Sequence, residues 1–155
     1  MADGWTGTPD ALLLLADGQR GAEVAAHVRA WRAAVAVPVV VRTASAAAAE
    51  AAIDAGAVAA HDPSGLADPA YLDTVVASGA SLVVGCPVPP PVDAPARASH
   101  LVALAERAVA AGVAPGAVVV DVTRGATMPP EGVALLAELP AVAGAGWPAM
   151  VVVGA

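Results

Sequence analysis

VPVVVRTASAAAAEAAIDAGAVAAHDPSGLADPAYLDTVVASGASLVVGC (Val37–Cys86) repeats one short theme. Three apolar runs, Val37–Val41, Ala57–Ala60 and Ser81–Gly85, are separated by alanine-rich segments of helical length. Within the runs hydrophobicity is continuous, whereas a strand with one wet face alternates. Strands of this kind are covered on both faces, as in a parallel sheet flanked by helices.

The theme extends in both directions. Ala11–Ala16, Ala117–Val122 and Ala149–Ala155 are further strand candidates. Ala22–Val35, Ala44–Gly56, Pro69–Gly79, Ala96–Gly112 and Pro130–Ala143 read as helices. Gly56, Gly79 and Gly112 fall where a left-handed C-cap is needed. In Ala96–Gly112, residues Leu101, Leu104, Ala105 and Ala108 share one face, and Arg97, Glu106 and Arg107 are placed off it. Strict βα alternation means an α/β fold. An open doubly wound sheet and a (β/α) barrel both fit, and a full barrel needs about 200–250 residues. Periodicity alone slightly favours the open sheet.

A chain of 155 residues is the size of one domain, and 58% hydrophobic content supplies its core. Aromatics make up only 3% and Phe is absent, so small aliphatic side chains must fill the interior. No apolar run reaches the roughly 18–20 residues of a membrane span. No basic n-region precedes an apolar stretch, so a cytoplasmic protein is expected. The net charge is −7 and all seven basic residues are arginine. That balance argues against nucleic acid as a partner, and the lack of lysine excludes Schiff-base and P-loop chemistry. Cys86 is the only cysteine, and no HExxH spacing exists, so neither a disulfide nor a metal site is expected. The proline-rich Cys86–Ala96 segment reads as a rigid connection.

In both architectures ligands bind beyond the C-terminal ends of parallel strands. The residues there are Asp17 and Arg20; Arg42 and Thr43; His61, Asp62 and Ser64; Cys86; and Asp121, Thr123 and Arg124. A buried carboxylate such as Asp121 suits the paired donors of an amidine-like heterocycle edge. Arg42 or Arg124 suits phosphate, and His61 suits acid–base work near neutral pH. Equally, Asp62 and Asp121 suit ion-pair or capping roles. Asp68, ahead of Pro69, reads as a helix N-cap. His27 and His100 lie on predicted helices, away from the strand ends.

The order of segments from about residue 37 to 155 resembles dihydropteroate synthase and related pterin-binding barrels. Arg42-Thr43 stands at that family's V-D-T strand end, and His61-Asp62-Pro63-Ser64-Gly65 at its N-D-V-S-G, followed by Asp68-Pro69 for its D-P helix. LAERAVAAGVAPGAVVVDVTRG (Leu104–Gly125) is similar to its A-x-x-A-G-V/I-x-P helix and the strand ending in L-D-P-G. The resemblance implies a partial (β/α) barrel of about six parallel βα units, derived from the TIM barrel. It implies a single domain over 1–155 that lacks the first and last strands. The departures fall on the expected ligand contacts. The first aspartate is Arg42, the asparagine is His61, the M-H histidine is Cys86, D-P-G has become Asp121-Val122-Thr123, and the following lysine falls at about Met128. The S-R-K motif would begin where the sequence stops.

These departures imply a divergent, truncated relative that is not an autonomous folate enzyme and acts as a binding, accessory or oligomer-forming protein. The alternative is a dihydropteroate synthase or related pterin-dependent transferase, completed by oligomerisation. Ligand-binding candidates are Asp62, Asp121, His61, Arg42, Arg20 and Arg124, for a pterin or an anionic small molecule; no catalytic residue is assigned. No cofactor or metal is expected. A second copy, or a full-length homologue completing the barrel, is the expected protein partner.

Overall fold

The computed structural model describes residues 11–87, 94–123 and 139–152. β1 (Leu12–Leu15), α1 (Gly21–Ala34), β2 (Val39–Arg42), α2 (Ala46–Asp54), β3 (Ala59–Asp62) and α3 (Tyr71–Ser78) form the first half. β4 (Ser81–Val84), α4 (Ala94–Ala111), a 3-10 turn at Pro115–Ala117, β5 (Val118–Asp121), α5 (Leu139–Gly144) and β6 (Ala149–Met150) follow. Most of the helix expected over Pro130–Ala143 lies outside the described residues, and its C-terminal part is α5. Gly56, Gly79 and Gly112 all have positive φ, as expected of the residues that end α2, α3 and α4.

All six strands are parallel and pair in the order β1-β2-β3-β4-β5-β6. That order separates the two architectures left open by periodicity. A doubly wound sheet reverses its strand order at a switch point, whereas a barrel never does. Because βα crossovers are right-handed, consecutive order keeps every helix on one side and curls the sheet into a half-barrel.

Side-chain alternation then sorts the strand residues. Leu14, Val39 and Val41 pack outward with Val24, Val28, Ala48 and Ala52 of α1 and α2. Ala60, Leu82, Val84, Val118 and Val120 pack outward into a second cluster with Tyr71, Val75, Leu101 and Leu104. The opposite parity falls on the concave face: Val40 and Arg42, His61, Val83, Val119 and Asp121. Small residues at the helix–helix contacts let the layers approach closely, as at Gly21, where a Cβ would sit 3.1 Å from that of Ala51.

β3 runs two residues further than the apolar run Ala57–Ala60 predicts, taking in His61 and Asp62. As neighbours in one strand these two side chains point to opposite faces of the sheet.

Candidate functional site

Arg42, His61 and Asp121 converge at the C-terminal end of the concave face. The His61 ring is fully buried, with Nε2 3.0 Å from Asp121 Oδ2. This contact joins β3 to β5 across β4, beside Gly85, which follows β4. A Cβ there would lie 3.6 Å from His61 Nε2 and 3.3 Å from the Asp62 carbonyl oxygen.

Thr123 completes the arrangement. Its N–H donates to Asp121 Oδ1 at 2.8 Å. Thr123 Oγ1 in turn accepts the Val152 N–H at 2.7 Å. Burial pushes the Asp121 carboxyl up, but the neighbouring His61 ring and Thr123 outweigh it. The net result holds Asp121 below the usual carboxylate range. Neither ring nitrogen of His61 makes a well-aligned hydrogen bond among the described residues, so Nε2 meets Asp121 as a close contact at 3.0 Å.

Arg42, at the end of β2, is paired with Asp17 from the loop after β1; Asp17 is half-exposed. This pair and Asp121 border one cavity of about 300 Å³, whose wall also includes Ser64, Gly85, Cys86 and Thr123. No group of three or more His, Cys, Asp or Glu residues suited to a metal ion occurs among the described residues.

Asp62 faces the helices and shapes the loop. Its carboxylate accepts the Ser64 N–H at 3.1 Å, the Ser64 hydroxyl at 2.6 Å and the Leu66 N–H. Leu66 is thereby held at φ +60°, rare for a non-glycine residue. Tyr71 is buried near this loop. Burial raises its hydroxyl pKa, and Asp62, Asp17 and Asp68 add to the effect. Asp68 accepts the Ala70 N–H at 3.0 Å and, at 2.8 Å, the Ala46 N–H that opens α2. It therefore ties two helix starts together instead of capping one. Arg20 stands away from the cavity, exposed and bonded to Glu23 at 3.0 Å. Arg124 lies outside the described residues. Cys86 is buried, and His27 and His100 are exposed on α1 and α4.

Arg97 departs from its expected place off the apolar face of α4. It is 1% exposed and donates to the carbonyl oxygens of Val122 at 2.9 Å and Thr123 at 2.8 Å. The signal was present in the sequence: Arg97, Leu101, Leu104, Ala105 and Ala108 are spaced i, i+4, i+7, i+8 and i+11, one continuous stripe. An arginine at the start of such a stripe reaches the end of the strand beneath, where carbonyls lack ladder partners.

No protein-family profile matches the chain, and no curated protein does. Solved structures do. A dihydropteroate synthase from Xanthomonas albilineans, in complex with 7,8-dihydropteroate, is 26% identical with a TM-score of 0.78, covering 93% of this chain and 59% of its own. The enzyme from Thermus thermophilus, in complex with 4-aminobenzoate, is 29% identical with a TM-score of 0.72, covering 92% and 62%. Mycobacterium tuberculosis Rv1207, at 24% identity and a TM-score of 0.72, shares the fold over 96% of this chain and 76% of its own. In fold and element order the chain is dihydropteroate synthase-like, spanning about three fifths of the length of the synthases it matches.

Proposed function

We propose that this chain is a small-molecule-binding or accessory protein built on a dihydropteroate synthase-like half-barrel, and not an autonomous synthase. One observation carries the reading: the Asp121 carboxylate is already occupied. A pterin's amino-pyrimidine edge needs one open lone pair on each carboxylate oxygen. The Thr123 N–H donates to its Oδ1 and the buried His61 ring stands 3.0 Å from its Oδ2, so each oxygen already faces a group of the protein wall. Arg42 adds a cation on the wall where the family pattern has an aspartate, opposing a ligand edge rich in donors.

The test is an assay of the purified chain with dihydropterin pyrophosphate and 4-aminobenzoate, with a full-length synthase as positive control. No pteroate product above background is expected. Turnover would establish the transferase reading instead.

Assembly belongs to the same proposal. Among the described residues β1 and β6 each pair on one side only, and Leu15 of β1 is 46% exposed. Exposed parallel edges invite pairing with another chain. A second copy is the proposed partner, so light scattering should give a dimer or larger species. A monodisperse monomer would overturn this part.

A further inference from the structure

We infer that the cavity between Arg42 and Asp121 takes an aliphatic amino-carboxylate, with its carboxylate on Arg42 and its ammonium on Asp121. This rests on the small-molecule-binding reading above and narrows its ligand class.

Among the described residues the lining carries two carboxylates, Asp17 and Asp121, and one guanidinium, Arg42. His61 stands behind Asp121 and is fully buried. A simple anion would leave Asp121 of this wall without a partner. A simple cation would meet Arg42. A ligand bearing one charge of each sign satisfies both walls.

The hydrogen-bond capacity points the same way. Beside the Thr123 N–H, the Asp121 carboxylate keeps acceptor capacity for an ammonium. Arg42 presents a planar fork that matches a carboxylate. Its present partner, Asp17, is half-exposed on a loop, so a ligand carboxylate displaces it into water at small cost. Ser64 and Thr123 add hydroxyls to the wall, and about 300 Å³ fits a ligand of a few heavy atoms.

The experiment is calorimetric titration of the full chain with glycine, β-alanine, 4-aminobutyrate and 6-aminohexanoate, beside butyrate, butylamine and 4-aminobenzoate. One aliphatic amino acid should bind about tenfold or more tighter than either half-ligand, a difference of about 1.4 kcal/mol. The aromatic amine of 4-aminobenzoate is uncharged near neutral pH, so that compound should bind as weakly as butyrate. The variant R42Q should lose about tenfold or more in affinity while keeping its far-ultraviolet dichroism. Should R42Q not fold, ligand-induced NMR shifts in the unmodified protein decide. Shifts at the Arg42 Nε–H and the Thr123 amide support the site, and shifts confined elsewhere overturn it. Equal binding by butyrate or 4-aminobenzoate, or no binding across the series, also overturns it. Absence of binding together with absence of synthase turnover defeats this assignment alone. Synthase turnover defeats the reading beneath it.

Discussion

His61 and Asp121 meet at 3.0 Å from strands that are not neighbours, over a glycine that leaves the space between them open. Three positions on three consecutive βα units therefore lie side by side at the strand ends.

Gly85→Ala should be costly for so small a change. The new Cβ would stand 3.3 Å from the Asp62 carbonyl oxygen and 3.4 Å from the Pro63 Cα, both main-chain atoms with little room to give. Overpacking of this kind costs about 1–3 kcal/mol. Urea denaturation should show a lower midpoint at unchanged slope, and Gly85→Val should be worse. An unchanged midpoint for both variants would contradict the close approach of Gly85 to the Asp62–Pro63 backbone.

Asp121→Asn removes the negative end of the pair and should destabilise the protein by about 1–3 kcal/mol at neutral pH. The pH dependence carries a sign. The folded carboxyl lies below its ordinary value of 3.8, so its contribution is fully present above that value. It disappears as pH falls through the lower, folded-state value, because the unfolded chain takes up the proton first. Denaturation from pH 7 down to pH 2 should show native protein and variant separated by a constant gap above about pH 5 that closes in acid. A gap that widens on acidification would reverse the assignment.

Arg97→Leu keeps the apolar stem but leaves the Val122 and Thr123 carbonyls without their buried donor. Loss of this arginine should cost about 2–5 kcal/mol. Arg97→Lys should recover only part of that, since one ammonium does not reproduce two parallel N–H bonds. Chemical denaturation of the three proteins checks the order native, lysine, leucine.

Arg42 and Asp17, in contrast, should be weakly coupled. The carboxylate is 48% exposed, so water and salt screen the pair. A double-mutant cycle with Arg42→Gln and Asp17→Asn should give a coupling below about 1 kcal/mol that shrinks further in high salt. A larger, salt-insensitive coupling would mark the pair as part of the fold.

The strands were legible because burial on both faces imposes an unbroken apolar run, and that runs straight through Val37–Val41 and Ser81–Gly85. Periodicity is blind to strand order, so the barrel rested on the resemblance until the pairing β1-β2-β3-β4-β5-β6 supplied it. At the site, Arg42, His61 and Asp121 were found by looking beyond strand ends. Asp62 was grouped with them because sequence adjacency hides the alternation that turns it toward the helices. The Gly85 gap was invisible, since nothing local marks a glycine as the span between two other strands. Arg97 was misplaced because its charge outweighed its position on the stripe.

The consecutive strand order has a thermodynamic side. Among the described residues, substantial packing joins elements close in the series, helix to next helix, strand to next strand and helix to adjacent strand, and the outward-facing core divides into two clusters. Such neighbour-to-neighbour packing should make the molecule open from its end strands inward, as a short one-dimensional array does. Amide exchange should accordingly be slowest in β3, β4 and β5, the strands that the His61–Asp121 contact links, and fastest in β1 and β6. A buried contact that skips one layer raises cooperativity among those three, setting a rigid centre inside a chain whose flanks breathe.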